Sequence, residues 1–453
     1  MLTWLLLLVC ALARPRVVSA QDSLYPGGCR IVGDDDQGVN VTCTCGQSVQ
    51  QKVDSSPINH LTILGCTDND QLTSDVITVS FALLERTPAD SDFVLVRVRS
   101  VNISGVQLEL SPAPVSRLPT GHPLERLHVE YSRMPRGLRS SALRTLPRLS
   151  HVSLLGVSAT TFYSAALYDL PSLRRLTIAD CEIGFIRVNA VSRTPQLRHL
   201  RIVRSQMHTV QGGAIVVDAD EEGMDSSCDA LPLDSHAVAS FVFANNSVTT
   251  IALNAIRVGP VQRFVASGNN LRELYPGAFN ITLRAACANQ LQFTDNQLED
   301  VRSEALFVNN EADEPALITL GGNVGTIAPL SPSFLGLRGP FEPSADGGEV
   351  PDVYECSCCD CQATQELVAL ALDDASDPLL RSLFSDALRS AECLGDKGSF
   401  LAFADGCAPE RGLGRKLGLS GGGEQPAPPS VSDAGLVRAS ASLLALVVAV
   451  LRG

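Results

Sequence analysis

The sequence predicts an α/β solenoid, a curved horseshoe of about ten repeats in which each repeat contributes one short parallel strand and a return segment. The first observation is a template, L-x-x-L-x-L-x-x-N/C-x-L, whose clearest copies follow one another at intervals of 25, 24 and 24 residues. The second is a column of asparagines at one template position, and the third is a cysteine cluster at each end. The four clear copies begin at Leu124, Leu149, Leu173 and Leu197.

Weaker copies extend the repeats to residues 58–340. Upstream copies begin at Ile58 and Phe93, and downstream copies begin at Val238 and Val261, with partial matches around Leu291 and Ile318. An amide at the N/C position can bond the unpaired backbone of the turn after each strand, so the asparagines there support the register. These asparagines are Asn246, Asn269, Asn296 and Asn323. The step of 41 residues between Ser205 and Asn246 fits one repeat plus an acidic insertion over residues 211–235.

The amino terminus predicts entry into the secretory pathway. Trp4 to Ala13 is a short apolar run, and small residues end at Ala20, so we interpret residues 1–20 as a signal peptide, with Ala13 as the alternative cleavage point. The oxidising lumen that follows makes disulfides the default for clustered cysteines. The 453 residues, 45% of them hydrophobic with one Trp, suit a large aliphatic core.

On the repeats and flanking cysteines, the chain resembles extracellular leucine-rich repeat proteins with cysteine-rich caps, over Cys29 to Cys407. The resemblance implies an amino-terminal cap over residues 21–66, with the first cysteine paired to the third and the second to the fourth. It also implies a carboxyl-terminal cap over residues 341–410, where two additional cysteines leave fifteen connectivities open. The cap cysteines are Cys29, Cys43, Cys45 and Cys66 at one end and Cys356, Cys358, Cys359, Cys361, Cys393 and Cys407 at the other.

Thirteen of the fourteen cysteines remain after loss of Cys10, so at least one is unpaired within the chain. We expect this to be Cys181, which occupies the N/C template position as a small buried group and weak donor. Cys228 in the insertion and Cys287 could form a disulfide or remain two free thiols.

The carboxyl terminus predicts attachment to a membrane by lipid. Residues 411–435 are a stalk rich in Gly, Pro and Ser, and residues 436–453 form an apolar tail. Its 13 uncharged residues between Arg438 and Arg452 would rise about 20 Å as a helix, short of the ~30 Å hydrocarbon core. The pattern is typical of a glycosylphosphatidylinositol (GPI) signal with Ser432 as the attachment residue, residues 421–423 as a rival, and a truncated membrane span or plain secretion as alternatives.

Glycosylation sequons agree with an extracellular surface. Four N-x-S/T motifs lack Pro at the middle position. The acceptor residues are Asn40, Asn102, Asn245 and Asn280.

Basic residues recur on the strand face that the template turns away from the core. Side chains alternate along a strand, so template positions three, five and seven point outward, and position two flanks them. The candidate partner-binding residues are Arg126, His151, Arg175, His199 and Arg263 at position three, Arg174 and Arg198 at position two, and His128 and Arg201 at position five. On a chain of formal net charge −14 this stripe favours an anionic partner, an acidic protein or a sulfated glycan. The simpler interpretation is that any solvated sheet face needs polar residues.

The sequence gives little support for a metal site, a catalytic site or nucleic-acid binding. The acidic patch around Asp218 to Asp225 lacks a spaced calcium loop, and disulfides explain the Cys356 to Cys361 cluster better than zinc does. No catalytic or nucleotide-binding motif is present, and the net negative charge argues against nucleic acid. We therefore expect no enzyme, cofactor or metal. Two functions stay open: a GPI-anchored recognition or adhesion receptor on the outer face of the plasma membrane, which would signal through a co-receptor, and a secreted non-catalytic scaffold subunit.

Overall fold

A computed structural model shows a solenoid of parallel strands arranged in three stacked sheets. It describes residues 29–34, 38–44, 49–50, 58–65, 76–81, 93–95, 98–111, 122–144, 146–218, 239–284, 289–320, 323–325, 334–343, 354–356 and 391–393. The main sheet contains the strands of the repeat template, and from His151–Leu155 to Ala316–Thr319 each of them is followed by a strand of the second sheet and then by one of the third. Seven coils contain a strand of all three sheets.

The main sheet has 13 strands and the second has 14. In spatial order the main sheet contains Arg30–Asp34, Gly38–Thr44, Ile58–Leu64, Val98–Ser104, Arg126–Glu130, His151–Leu155, Arg175–Ala179, His199–Val203, Ser240–Ala244, Arg263–Ser267, Gln290–Thr294, Ala316–Thr319 and Phe341–Pro343. The second sheet contains Val49–Gln50, Phe93–Leu95, Val76–Phe81, Gln107–Ser111, Arg133–Met134, Ser158–Phe162, Glu182–Ile186, Gln206–Val210, Ser247–Ile251, Asn270–Leu274, Gln297–Val301, Val324–Gly325, Tyr354–Cys356 and Ala391–Cys393.

In these seven coils the third sheet takes the place of a helical return. Its strands are Leu167–Tyr168, Val191–Ser192, Ile215–Asp218, Ile256–Val261, Phe279–Leu283, Leu306–Asn310 and Leu335–Arg338. The residues that the structure describes contain no helix, so the helical part of the expected α/β class finds no support there. A physical reason lies at the corners: Ala165, Asn189 and Gly213 have left-handed backbones with φ of 60°, 53° and 62°, which interrupt a right-handed helix.

The template places the core correctly. Leu127, Val152, Leu176 and Leu200 stack in register across four adjacent strands and are at most 3% exposed. Phenylalanines occupy this column farther along the chain, where the ring centroids of Phe241 and Phe264 lie 5.4 Å apart. Each buried ring contributes roughly 1.5–3 kcal/mol of transfer free energy, so stacking between coils stabilises the solenoid.

The asparagine column forms the expected ladder. In each case Oδ1 accepts the backbone N–H of the preceding coil's residue in the column, as Asn246 does from Ser205 at 2.9 Å. Each Nδ2 donates to a carbonyl of the preceding main-sheet strand, and Asn246 bonds Ile202 in this way at 2.9 Å. Asn269, Asn296 and Asn323 repeat both bonds. The prediction that these amides satisfy turn backbone is confirmed.

Cys181 is free and buried, as expected. Its Sγ donates to the carbonyls of Ala179 at 3.2 Å and Leu154 at 3.5 Å. Burial raises the pKa of this thiol to about 11. The thiol therefore replaces the asparagine amide of later coils as a weak donor to the same corner.

Two expectations at the amino-terminal end are wrong. The upstream repeat begins at Val98 rather than Phe93, because Val101 and Ile103 pair with Leu127 and Val129 of the next coil. The copy at Ile58 is correct. Cys29 forms its disulfide with Cys43, not with the third cysteine that the resemblance implies. The cause is a local antiparallel pairing that sets Arg30 opposite Thr42 and so brings the two neighbouring cysteines together.

Several predictions fall outside the described residues. They concern the signal peptide, Cys45, Cys66, Cys228, Cys287, the stalk, Ser432 and the apolar tail. In the predicted carboxyl-terminal cap, the backbones of Cys356 and Cys393 lie opposite each other in adjacent parallel strands, and Cys358, Cys359, Cys361 and Cys407 lie outside the described part. Residues 211–218 continue the regular coil, whereas most of the predicted insertion is not described. The described residues include no helix that could span a membrane and no group of three side chains suited to a metal ion.

Candidate partner-binding face

The candidate site is the outward face of the main sheet, formed by template positions three, five and seven. Alternation along each strand turns positions four and six into the core and these three positions away from it. In Arg175–Ala179, for example, Leu176 and Ile178 are at most 1% exposed, whereas Arg175 and Thr177 are partly accessible. The face is therefore fixed by the same periodicity that builds the core.

The structure brings all nine predicted basic residues to this face or its edge. Position three is one continuous column, paired strand to strand in the order Arg126, His151, Arg175, His199, Ser240, Arg263 and Gln290. Arg174 and Arg198 precede two of these strands, and His199 N–H donates to the Arg174 carbonyl at 3.0 Å. His128 and Arg201 lie at position five. Neighbouring coils hold such side chains at the inter-strand spacing of about 4.8 Å.

Sequence reasoning missed His60, which extends the column by two coils. It pairs with Ser100, which in turn pairs with Arg126. Nδ1 of His60 lies 3.1 Å from the hydroxyl oxygen of Ser100. The correct template copy at Ile58 already contained this signal, but the shifted register of the following copy concealed the connection.

Acidic residues are nearly absent from the centre of the face. Across the six strands from Arg126–Glu130 to Arg263–Ser267, Glu130 is the one acidic residue. It lies 3.3 Å from Nε2 of His128, and nearby Glu125 pairs with Arg99 at 3.3 Å. Within the described chain, Arg126, Arg174, Arg175 and Arg201 form no ion pair.

The positive charge of this face contributes to lowering the pKa of two histidines. Burial, and then the charges of Arg175, Arg126 and Arg174, lower the pKa of His151 below its ordinary 6.5. Burial and Arg126 lower the pKa of His60 in the same direction. Both rings are therefore mainly neutral at pH 7, and the arginines supply the permanent charge.

Position seven has a different character that the sequence reasoning did not use. Leu155, Ala179, Val203 and Ala244 are in register across four adjacent strands at this position. Val242 and Val265 pair beside them at position five. The face is thus basic along one edge and apolar along the other.

The four predicted glycosylation residues occupy different surroundings. Asn40 is exposed in the main sheet, and Asn102 is partly buried there, paired with His128 of the next coil. Asn245 is exposed at a corner with a left-handed backbone, φ 55°. Asn280 lies partly buried in the third sheet. Asn40 and Asn245 thus have the accessibility that glycosylation requires in the folded chain.

A comparison with known protein families finds no match. Among solved structures, the chain is similar to one chain of the octameric complex of latrophilin 3 (Lec, Olf), Unc5D (Ig, Ig2, TSP1) and FLRT2 (LRR). The sequence identity is 16%, the alignment covers 69% of this chain and 91% of that chain, and the TM-score is 0.31. The protein's own geometry defines its class, a parallel-strand repeat solenoid of the kind that leucine-rich repeats form, with a basic sheet face.

Proposed function

We propose that this protein is a cell-surface leucine-rich repeat protein that binds an acidic protein or an anionic glycan through the outward face of the main sheet. The observation that carries the proposal is the position-three column, in which arginine and histidine from four adjacent coils lie side by side. In leucine-rich repeat solenoids the corresponding sheet lines the concave side, where an extended partner can contact many coils at once, and the proposal extends this arrangement to the present chain.

Solvation by itself does not require this pattern. The chain has 49 Asp and Glu residues and only 35 Lys and Arg residues. Nevertheless, template positions three and five hold no acidic residue across six strands. Arg174 and Arg198 lie next to each other on adjacent coils, and like charges at such neighbouring positions are destabilising, so a mixed arrangement would serve folding better. An anionic partner offsets this repulsion and gains charge-assisted hydrogen bonds from the arginines.

Charge reversal tests the proposal. The double variant Arg175→Glu with Arg201→Glu should abolish binding of the full-length protein to immobilised heparin or polyglutamate at low salt. The matched control is Arg133→Glu with Arg187→Glu, which changes the net charge equally at exposed residues of the second sheet and its corner. If the face variant binds both probes as tightly as the wild type, the main sheet is not the site.

Cell-surface attachment through a lipid at Ser432 belongs to the same proposal and rests on the sequence pattern of the tail. Phosphatidylinositol-specific phospholipase C should release the full-length protein from the surface of expressing cells. Retention after treatment would contradict the lipid anchor. A form in the medium that retains the tail would favour the alternative, a secreted scaffold subunit that holds other extracellular proteins.

A further inference from the structure

We infer that the partner on this face is a polypeptide whose contact surface places carboxylates beside apolar side chains, rather than a sulfated glycan. This inference rests on the proposed function and deepens it. It follows from the apolar side of the face, which charge attraction to a polyanion leaves unexplained. We call the side chains of Leu155, Ala179, Val203, Ala244 and Val242 the apolar strip.

The apolar strip lies outside the contiguous core cluster. Ala179 and Val203 are 5% and 2% exposed, yet neither is part of the contiguous core cluster that includes their strand neighbours Ile178 and Ile202. They form the floor of the outward face. Leu155, Val242 and Ala244 remain partly accessible beside them. A partner on this face would remove the accessible apolar surface of Leu155, Val242 and Ala244 from water, which is favourable in proportion to the area buried.

Tyr131 lies at the corner beside the amino-terminal end of the apolar strip, one residue after Glu130, which pairs with Leu155. Its side chain is 63% exposed, and its backbone N–H donates to the carbonyl of Leu155 at 2.8 Å. The ring lies against Gly156, since a Cβ at that glycine would be 2.8 Å from the ring carbon Cδ1. Tyrosine is among the residues enriched at the energetic centres of protein interfaces.

Tyr131 has a left-handed backbone conformation, which is unusual for an aromatic residue. Its φ is 46°, and the equivalent corners of later coils hold Gly156, Asp180, Arg204, Asn245, Gly268 and Asp295, all but Arg204 being residue types that tolerate a left-handed conformation. A bulky aromatic residue there costs free energy, and most of its side chain stays exposed. An exposed ring held in this conformation beside an apolar floor is suited to contact with another molecule.

The dimensions match a polypeptide. Positions three and seven are four residues apart along a strand, roughly 13 Å at about 3.3 Å per residue. That width accommodates one extended segment or one helix about 10–12 Å in diameter, with acidic groups toward Arg175 and apolar groups toward Val203. A sulfated glycan carries hydroxyl and sulfate groups on its sides, and these would lose water over the apolar strip without gaining hydrogen bonds.

Peptide selection tests the inference directly. The immobilised full-length protein would select from a phage-displayed random peptide library, with counter-selection on the Arg175→Glu, Arg201→Glu variant. We expect enriched peptides to contain Asp or Glu together with Leu, Val, Ile or Phe. Heparin binding by the same proteins would be measured in parallel as the glycan probe.

Variants of the apolar strip then separate charge from apolar contact. Tyr131→Asn with Val242→Thr removes apolar surface without changing charge, and asparagine suits the left-handed corner, as Asn245 shows. This variant should bind the selected peptide at least tenfold more weakly. Tyr275→Asn, at an exposed tyrosine after the second sheet, is the control and should leave affinity unchanged. Circular dichroism melting would verify that each variant folds.

Three results would overturn the inference, and one of them would also overturn the proposed function. If selected peptides are acidic without apolar residues, or bind the strip variant normally, the strip is not a contact surface. If no peptide is enriched while heparin binds and the charge variant abolishes that binding, the partner is a glycan and the proposed function stands. If the charge variant retains heparin binding, and counter-selection against it leaves no enriched peptide, the proposed function fails as well.

Discussion

Nδ2 of Asn269 donates to Oδ1 of Asn296, one coil farther along, at 2.8 Å. The same Nδ2 bonds the Phe243 carbonyl at 2.8 Å, and Oδ1 of Asn269 accepts from the Asn246 N–H at 2.9 Å. Asn269 is 1% exposed, so water cannot replace these bonds. One side chain therefore connects three successive coils at the corner between the main and second sheets.

Removal of this amide should destabilise the solenoid strongly. Asn269→Ala leaves the Asn246 N–H and the Phe243 carbonyl without their partner, at roughly 1–3 kcal/mol for each buried group. Urea denaturation followed by circular dichroism measures the change in unfolding free energy. The adjacent Asn270→Ala is the control, because Asn270 is exposed on the second sheet, and its effect should be within about 0.5 kcal/mol. Equal effects at the two positions would contradict the ladder's role.

Two glycines with left-handed backbones should respond differently to alanine. At Gly137, φ 68°, an added Cβ would collide with the carbonyl oxygen of Thr161, whereas at Gly213, φ 62°, the nearest atom is Cγ2 of Val188 at 3.7 Å. Gly213→Ala should cost about 1–2 kcal/mol from backbone conformation only. Gly137→Ala should cost clearly more because the backbone must also shift. Thermal melting of both variants tests the order, and a smaller loss at Gly137 would refute it.

Cys181 should be unreactive while the chain is folded. Because burial raises its pKa to about 11, the nucleophilic thiolate is scarce at pH 8. Iodoacetamide labelling of Cys181, followed by peptide mass spectrometry, should be slow in buffer. It should be fast in urea at roughly 6 M, where the chain is unfolded. Rapid labelling of this residue in buffer would show that the corner opens without unfolding.

The arginines should lower the titration midpoint of His151 measurably. Burial and three arginines lower its pKa below 6.5 in the folded chain. Between that lowered pKa and 6.5 the unfolded chain binds a proton that the folded chain does not, so stability falls as pH drops through this window. NMR titration of the imidazole should show the midpoint rising toward 6.5 in Arg175→Gln. The exposed Arg133→Gln should leave the midpoint unchanged, and equal midpoints in all three proteins would contradict the electrostatic cause.

The sequence predicts the main sheet well because one template fixes both its inward and outward residues. Leu176 and Ile178 enter the core, and Arg175 leaves it, by the same alternation. The asparagine column was predictable for a related reason, since its chemistry is local to each corner. The basic column followed directly from counting, because parallel register preserves template position from coil to coil.

Other features depend on contacts that the template does not encode. Third-sheet strands such as Leu167–Tyr168 have two residues, too few to show a period. The pairing of Cys29 with Cys43 follows from an antiparallel strand outside the repeat pattern. The role of Val203 was hidden because an apolar residue at an outward position resembles a core residue until its neighbours are known.

The register across the predicted insertion has a practical consequence. His199 pairs with Ser240 and Val217 with Val258, so the coils on either side of residues 219–238 stack directly upon each other. The stacking of these coils does not depend on the connecting segment, so a change in its length leaves the described register unchanged. Protein engineers could graft a reporter domain or an affinity tag there, and natural relatives could diversify it while keeping the same scaffold.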